Sequence, residues 1–263
     1  MSQFETLRFE KANGVATITL NRPDAAHSIN LKMGQELMQA AILCDSDSEV
    51  RAVVLTAEGK MFCAGGDVAS FHAAQDKAPQ LIKDITAHLH AASSRFARMR
   101  APLIVAVNGT AAGAGFSLAM AGDLVVASEK AKFTMAYTGI AVSPDGGATA
   151  LLPKLVGLRR AQELIFTNRV LSAEEALEWG LLTKVVADDA LTEEAGKLAA
   201  QIANGPTEAY GEVRRLLLGS YETSLETQLE LESRGISRCI GTADGREGLA
   251  SFIERRKPAF KGE

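Results

Sequence analysis

Apolar residues along this chain recur with two different periods, and each change of period marks a change in backbone state. Near the start they alternate with polar ones: Leu7 and Phe9, then Val15, Ala16, Ile18 and Leu20. Alternation predicts strands. Asn13-Gly14 lies between the two runs and suits a tight hairpin turn. From Leu31 to Leu43 the spacing becomes helical. Arg51–Thr56, Leu103–Val107 and Leu124–Ala127 are short apolar runs, read as buried strands. Leu81–Met99 reads as a long helix that ends on the approach to Pro102. Ala112–Ala121 reads as a helix of small residues. From Arg159 onward the pattern is helical almost to the end, with its clearest breaks at Asn204-Gly205-Pro206 and Gly241. The first two-thirds therefore mix β and α, and the strand-strand-helix units hint at a structural repeat.

Composition narrows the picture. A chain of 263 residues can bury one sizeable core. The 28 basic and 32 acidic side chains leave a net charge of -4, so no nucleic-acid partner is expected. Arg255, Arg256 and Lys257 form a local basic cluster. Met1–Glu10 alternates and carries charge, unlike a secretory leader, and no apolar run reaches membrane-spanning length. Cys44, Cys63 and Cys239 are odd in number and widely spaced, which suits free thiols in a reducing compartment. A cytoplasmic protein without membrane contact is expected. His88 and His90, two apart on a predicted helix, do not share a face, so no metal site is expected.

Three glycine-rich segments carry the candidate chemistry: Phe62-Cys-Ala-Gly-Gly-Asp-Val68, Val107-Asn-Gly-Thr-Ala-Ala-Gly-Ala-Gly115 and Val142-Ser-Pro-Asp-Gly-Gly147. Glycine lets backbone N–H groups approach a ligand, and two such donors aimed at one point stabilise a developing oxyanion. The spacing matches neither a dinucleotide fingerprint nor a phosphate-binding P-loop, and there is no G-x-S-x-G elbow. Together with Asn21-Arg-Pro-Asp24, Leu171-Ser-Ala-Glu-Glu-Ala176, Trp179-Gly-Leu181 and Glu254-Arg-Arg256, these segments resemble the enoyl-CoA hydratase/isomerase (crotonase) family over essentially the whole chain.

The resemblance implies an α/β fold, a crotonase-like spiral of ββα units over residues 1–200. It also implies a helical C-terminal region over 201–263 that forms a homotrimer or a dimer of trimers. It implies an acyl-CoA substrate and no cofactor beyond the coenzyme A that the substrate carries. The thioester oxygen would sit between the N–H groups of Gly66 and Ala114, the alanine standing where glycine is commoner. Coenzyme A would be met by Ala64, Gly65, Asp67 and Val68, and by Phe252 and Arg255 from a neighbouring subunit. His27 lies in a segment that is near coenzyme A in relatives. Ser70–Gln80 is expected to be a mobile loop forming part of the acyl pocket.

The resemblance departs from the hydratase pattern at two places. Ser117 and Tyr137 stand where that enzyme has its two glutamates, and neither ionises near neutral pH as a carboxylate base does. Asp145 is the remaining carboxylate, in a segment similar to single-carboxylate isomerases of the phenylacetate-pathway type. An apolar setting of Ile140, Val142 and Leu151 is expected to desolvate it and make it a stronger base. Its structural alternative is to cap the next helix. The same aspartate, with His90, matches chlorobenzoyl-CoA dehalogenase, in which it would act as a nucleophile. Tyr137 and Leu89 replace tryptophans of that pattern. A thioester hydrolase, a residual hydratase and a non-catalytic acyl-CoA binder complete the alternatives. Ser117 and Tyr137 would shape the pocket or hold water, and a helical histidine such as His90 is more often structural or solvated.

Overall fold

The hairpin read from the sequence opens the computed structural model, which describes residues 4–263. Strands β1 (Leu7–Ala12) and β2 (Val15–Leu20) pair antiparallel, with Leu7 opposite Leu20 and Ala12 opposite Val15. Asn13 and Gly14 have φ of 51° and 77°, the left-handed pair that lets a two-residue turn follow the strand twist. Helix α1 (Leu31–Ser46) follows, capped by Asn30, whose side chain accepts from the Met33 N–H.

A unit then repeats: a strand in a large sheet, a three-residue strand in a small sheet, and a helix. The first repeat is β3 (Ala52–Ala57), β4 (Met61–Cys63), α2 (Val68–Ala74) and α3 (Ala78–Arg98). The second is β5 (Leu103–Val107), β6 (Thr110–Ala112) and α4 (Ala114–Met120). The third is β7 (Leu124–Ser128), β8 (Lys132–Thr134) and, after a loop, α5 (Ala148–Val156). The chain continues through α6 (Leu158–Thr167), β9 (Leu171–Ser172), α7 (Ala173–Glu178), β10 (Lys184–Val186) and α8 (Leu191–Ala203). It ends in α9 (Thr207–Gly219), α10 (Leu225–Gly241) and α11 (Ala243–Glu254).

The large sheet runs β1-β2-β3-β5-β7-β10 and the small one β4-β6-β8-β9. All neighbours are parallel except β1 with β2 and β8 with β9. Strands buried on both faces read as continuous apolar runs, as β5 does. Alternate residues of β3 serve two cores. Val53 and Leu55 join Leu37, Phe96 and Phe116, whereas Ala52 and Val54 meet Ala195 and Ala199 of α8. Each fully buried Leu or Phe stabilises the fold by about 1.5–3 kcal/mol relative to exposure.

Three readings from the sequence are corrected. Ala112 belongs to β6, and the helix after it begins at Ala114. Strands β9 and β10 interrupt the part read as helical; three residues or fewer carry no detectable period. Residues 70–80 are not a loop. They finish α2, pass through one 3-10 turn at Gln75–Lys77 and begin α3.

Arg214 of α9 fastens the C-terminal helices to this body. It is 8% exposed and donates to the carbonyls of Phe96, Met99 and Ala101 and to the Asp123 carboxylate at 2.9 Å. Asp123 in turn accepts from the Leu103 N–H at 2.7 Å. Removing one partner of such a buried pair strands the other. Arg214→Ala is expected to cost about 3 kcal/mol, read as a lower urea midpoint.

Candidate active site

Strands β4 and β6 lie side by side and parallel, Met61 opposite Thr110 and Cys63 opposite Ala111. Both chains therefore leave the small sheet at the same end, one through Ala64–Asp67 and the other through Gly113–Gly115. The two segments touch. A Cβ placed on Gly65 would lie 2.9 Å from the Ala112 carbonyl oxygen and 3.3 Å from the Ala114 nitrogen, and Gly65 has φ 101°. No other residue fits both the space and the backbone angle.

A third segment braces this crossing. The Ile29 N–H donates to Gly65 O at 2.7 Å, the Asp67 N–H to Ile29 O at 3.0 Å and the Ala64 N–H to Ala26 O at 3.0 Å. Among the described residues, neither the Gly66 N–H nor the Ala114 N–H donates to any protein acceptor. Two backbone donors on touching segments are thus left free at one place, which suits an oxyanion.

Asp67 faces inward. It is 8% exposed, caps α2 through the Ser70 N–H at 3.1 Å and pairs with Arg22 at 3.1 Å. Burial pushes its carboxyl up, but these hydrogen bonds and the Arg22 charge outweigh it and hold the carboxyl below its ordinary value. Arg22 also donates to Ser28 O. Sequence reading overlooked Arg22, although it stands in the Asn21-Arg-Pro-Asp24 motif. Ala64 and Val68 are exposed beside the crossing. Cys63 is buried with its thiol pushed up to about 12 by burial, which disqualifies it as a nucleophile at neutral pH.

The second cluster gathers Ser117, Tyr137, Asp145 and His90 from four separate segments. Ser117 is one turn into α4 and buried. Its Oγ lies 3.4 Å from Gly113 O and 2.9 Å from the Tyr137 hydroxyl. Tyr137 donates to Asp145 Oδ1 at 2.7 Å. Burial, followed by the charge of Asp145, raises the Tyr137 hydroxyl far above its ordinary value, so it stays a donor. On the other side, His90 Nε2 is 3.4 Å from Asp145 Oδ2 and 3.2 Å from the Gly146 nitrogen. Gly146 has φ 63°, and a Cβ there would meet Ser117 Cβ at 3.0 Å. The non-glycine residues Ala136 (φ 54°) and Ala141 (φ 59°) bracket Tyr137, a concentration of strain found at functional sites.

Two expectations for Asp145 change. It does not cap a helix: α5 starts at Ala148 with Gly147 at its cap and no side-chain cap bond. Nor do Ile140 and Val142 enclose it, being 52% and 41% exposed. Hydroxyl and imidazole groups lie beside the carboxylate, and of the three aliphatic residues only Leu151 is half-buried. Phe252 and Arg255 are exposed on and just after α11, and among the described residues no side-chain hydrogen bond or ion pair joins either of them to the cluster. Among the described residues, no three His, Cys, Asp or Glu side chains converge as metal ligands do. No helix there is long and apolar enough to cross a membrane. A concavity of about 990 Å³ lies on the outer face of the large sheet beside α8 and shares no lining residue with the cluster.

Residues 10–263 match the Enoyl-CoA hydratase/isomerase family. The chain is 38% identical to the 1,2-epoxyphenylacetyl-CoA isomerase of Escherichia coli K12, covering 100% of both. It is 35% identical to 4-chlorobenzoyl coenzyme A dehalogenase-2 of an Arthrobacter species, covering 92% of this chain and 88% of that one. Its fold superposes with a TM-score of 0.93 on an enoyl-CoA hydratase from Polaromonas sp. JS666, at 30% identity over 97% and 99% of the two chains. Fold and sequence define an enzyme acting on acyl-CoA thioesters. The chain belongs to the enoyl-CoA hydratase/isomerase family. Relatives this similar are named for three different activities, so family membership alone does not fix the reaction.

The brace beside Gly65 carries a pH dependence. His27 is 1% exposed; its Nδ1 accepts from the Arg22 N–H at 3.0 Å, so Nε2 carries the proton and donates to Glu58 O at 2.8 Å. Burial, then the Arg22 charge, lowers its pKa below the ordinary value. As pH falls past about 6.5 the unfolded chain takes up this proton before the folded one does, so stability is present above that pH and is lost below it. Urea titrations at pH 7.5 and 5.5 should show the loss, and His27→Gln should flatten the slope.

Proposed function

We propose that this enzyme moves a double bond from the β,γ to the α,β position of an enoyl-CoA thioester, with Asp145 as its single acid/base. The observation that carries the reading is the environment of Asp145. Its carboxylate is aimed by the Tyr137 hydroxyl at 2.7 Å, and Ser117 and Tyr137 supply hydroxyls where a second carboxylate would be needed to activate water.

In this reading the thioester oxygen accepts from the Gly66 and Ala114 N–H groups. Asp145 takes a proton from C2, and the electron pair runs through the carbonyl to give a dienolate whose negative oxygen those donors stabilise. The protonated Asp145 then delivers a proton to C4, leaving the double bond between C2 and C3. Tyr137 keeps one carboxylate oxygen occupied throughout. Coenzyme A would lie along Ala64–Val68, with Arg22 holding that segment in shape through Asp67.

A homotrimer, or a dimer of trimers, fits the C-terminal helices. Leu217, Tyr221, Leu225, Ile236, Phe252 and Ile253 are between 62% and 85% exposed, and assembly would cover such side chains. Assembly would bring Phe252 and Arg255 of one copy toward the coenzyme A of another.

A second reading uses Asp145 as a nucleophile, favoured by His90 lying 3.4 Å from it. An aspartyl ester seen by mass spectrometry after rapid quench would support that route, and its absence during turnover supports proton transfer.

Asp145→Asn is expected to lower the rate on a β,γ-enoyl-CoA by at least roughly 100-fold, with products followed by mass spectrometry. A variant that isomerises at the wild-type rate would sink this reading. Tyr137→Phe removes one hydrogen bond to a charged oxygen and should cost roughly tenfold in kcat with little change in KM. Light scattering on the eluted protein should give three or six times the mass of one chain.

A further inference from the structure

We infer that His90 is the group through which Asp145 exchanges its proton with water during turnover. The inference rests on Asp145 acting as the acid/base. It starts from two distances on one ring atom: Nε2 is 3.2 Å from the Gly146 nitrogen and 3.4 Å from Asp145 Oδ2. Gly146 has only an N–H to give, so Nε2 presents its lone pair and the neutral ring carries its proton on Nδ1. That same lone pair lies beside the carboxylate oxygen that Tyr137 leaves free, since Tyr137 donates to Oδ1. The Asp145 environment is therefore two-sided. Tyr137 and Ser117 are 9% and 1% exposed and form a closed wall, whereas the His90 side chain is 50% exposed.

Proton abstraction from C2 loads this oxygen. The neutral Asp145 then holds Oδ2–H next to an imidazole lone pair. Transfer breaks the O–H bond, forms Nε2–H and leaves an imidazolium beside a carboxylate, with the Gly146 N–H released. The exposed imidazolium exchanges its N–H protons with water and gives a solvent proton back to Oδ2, which delivers it to C4. Nothing is oxidised or reduced, and water is the only co-reactant. With an acyl group lying over the carboxylate, the imidazole is the route that stays open. His90 is thus a positioning and relay residue that acts through Asp145.

The test is isomerisation of an unlabelled β,γ-enoyl-CoA in D2O, with deuterium at C4 of the product counted by mass spectrometry. The count is read per product molecule, so any change in rate drops out. Wild type is expected to place deuterium at C4 in most products. His90→Gln retains an acceptor for the Gly146 N–H but cannot take up a proton. It should raise the ratio of retained protium to incorporated deuterium at least about threefold. His90→Ala should give the same raised ratio at a lower rate, because it also strips Gly146 of its partner. A ratio unchanged in both variants overturns the relay, as does a wild type that retains its own proton or a glutamine that restores wild-type exchange. Asp145→Asn separates the two levels of the argument. If it turns over normally, the acid/base reading falls and the relay with it; if it is inactive while the ratio stays fixed, only the relay falls.

Discussion

The site exists because β4 and β6 run parallel and adjacent. Antiparallel neighbours would send their outgoing segments to opposite ends of the sheet. Parallel ones deliver Gly65–Gly66 and Gly113–Ala114 to the same end, close enough that Gly65 cannot carry a side chain. The large sheet beneath, with its two-sided apolar strands, holds the small one in place. What the short strands lack in length they regain from the Ile29 segment, which bonds to Gly65 and Asp67 from the other side. The free N–H groups are a consequence of strand order before they are a feature of any residue.

Asp145 depends on a different kind of order. Its loop has no regular hydrogen-bond ladder, so a side chain orients it: the Tyr137 hydroxyl, itself held by Ser117, bonds one oxygen, and the His90 imidazole lies beside the other. A charge held this way keeps a defined direction without being sealed from solvent. Strain at Ala136 and Ala141 shows that the surrounding structure forces the turn that presents Tyr137.

Much of this was legible in the residues, unevenly and for physical reasons. The hairpin, α1, α3 and the strands of the large sheet have enough residues to show a period. The three-residue strands β4, β6 and β8 do not, and they are the ones that build the site. Glycine clusters marked the crossing, but only the family resemblance pointed to Gly66 and Ala114 as candidate oxyanion donors. Ser117, Tyr137 and Asp145 were singled out individually, and the hydrogen bonds joining them required the fold. His90 was judged by its own helix, where its neighbour His88 points elsewhere, while its partner sits on a loop 55 residues away in the chain. Arg22 was invisible because an arginine beside a proline carries no signal of the carboxylate 45 residues later that it will meet.

The four-segment cluster around Asp145 also constrains which substitutions it accepts. A carboxylate introduced at position 117 would stand within reach of the Tyr137 hydroxyl now bonded to Asp145, and one at position 137 would replace that donor with a like charge beside Asp145. Exchanging any one member therefore penalises the others until they too are replaced. A single substitution toward two-carboxylate chemistry at this place therefore meets charge repulsion unless a neighbouring position changes with it.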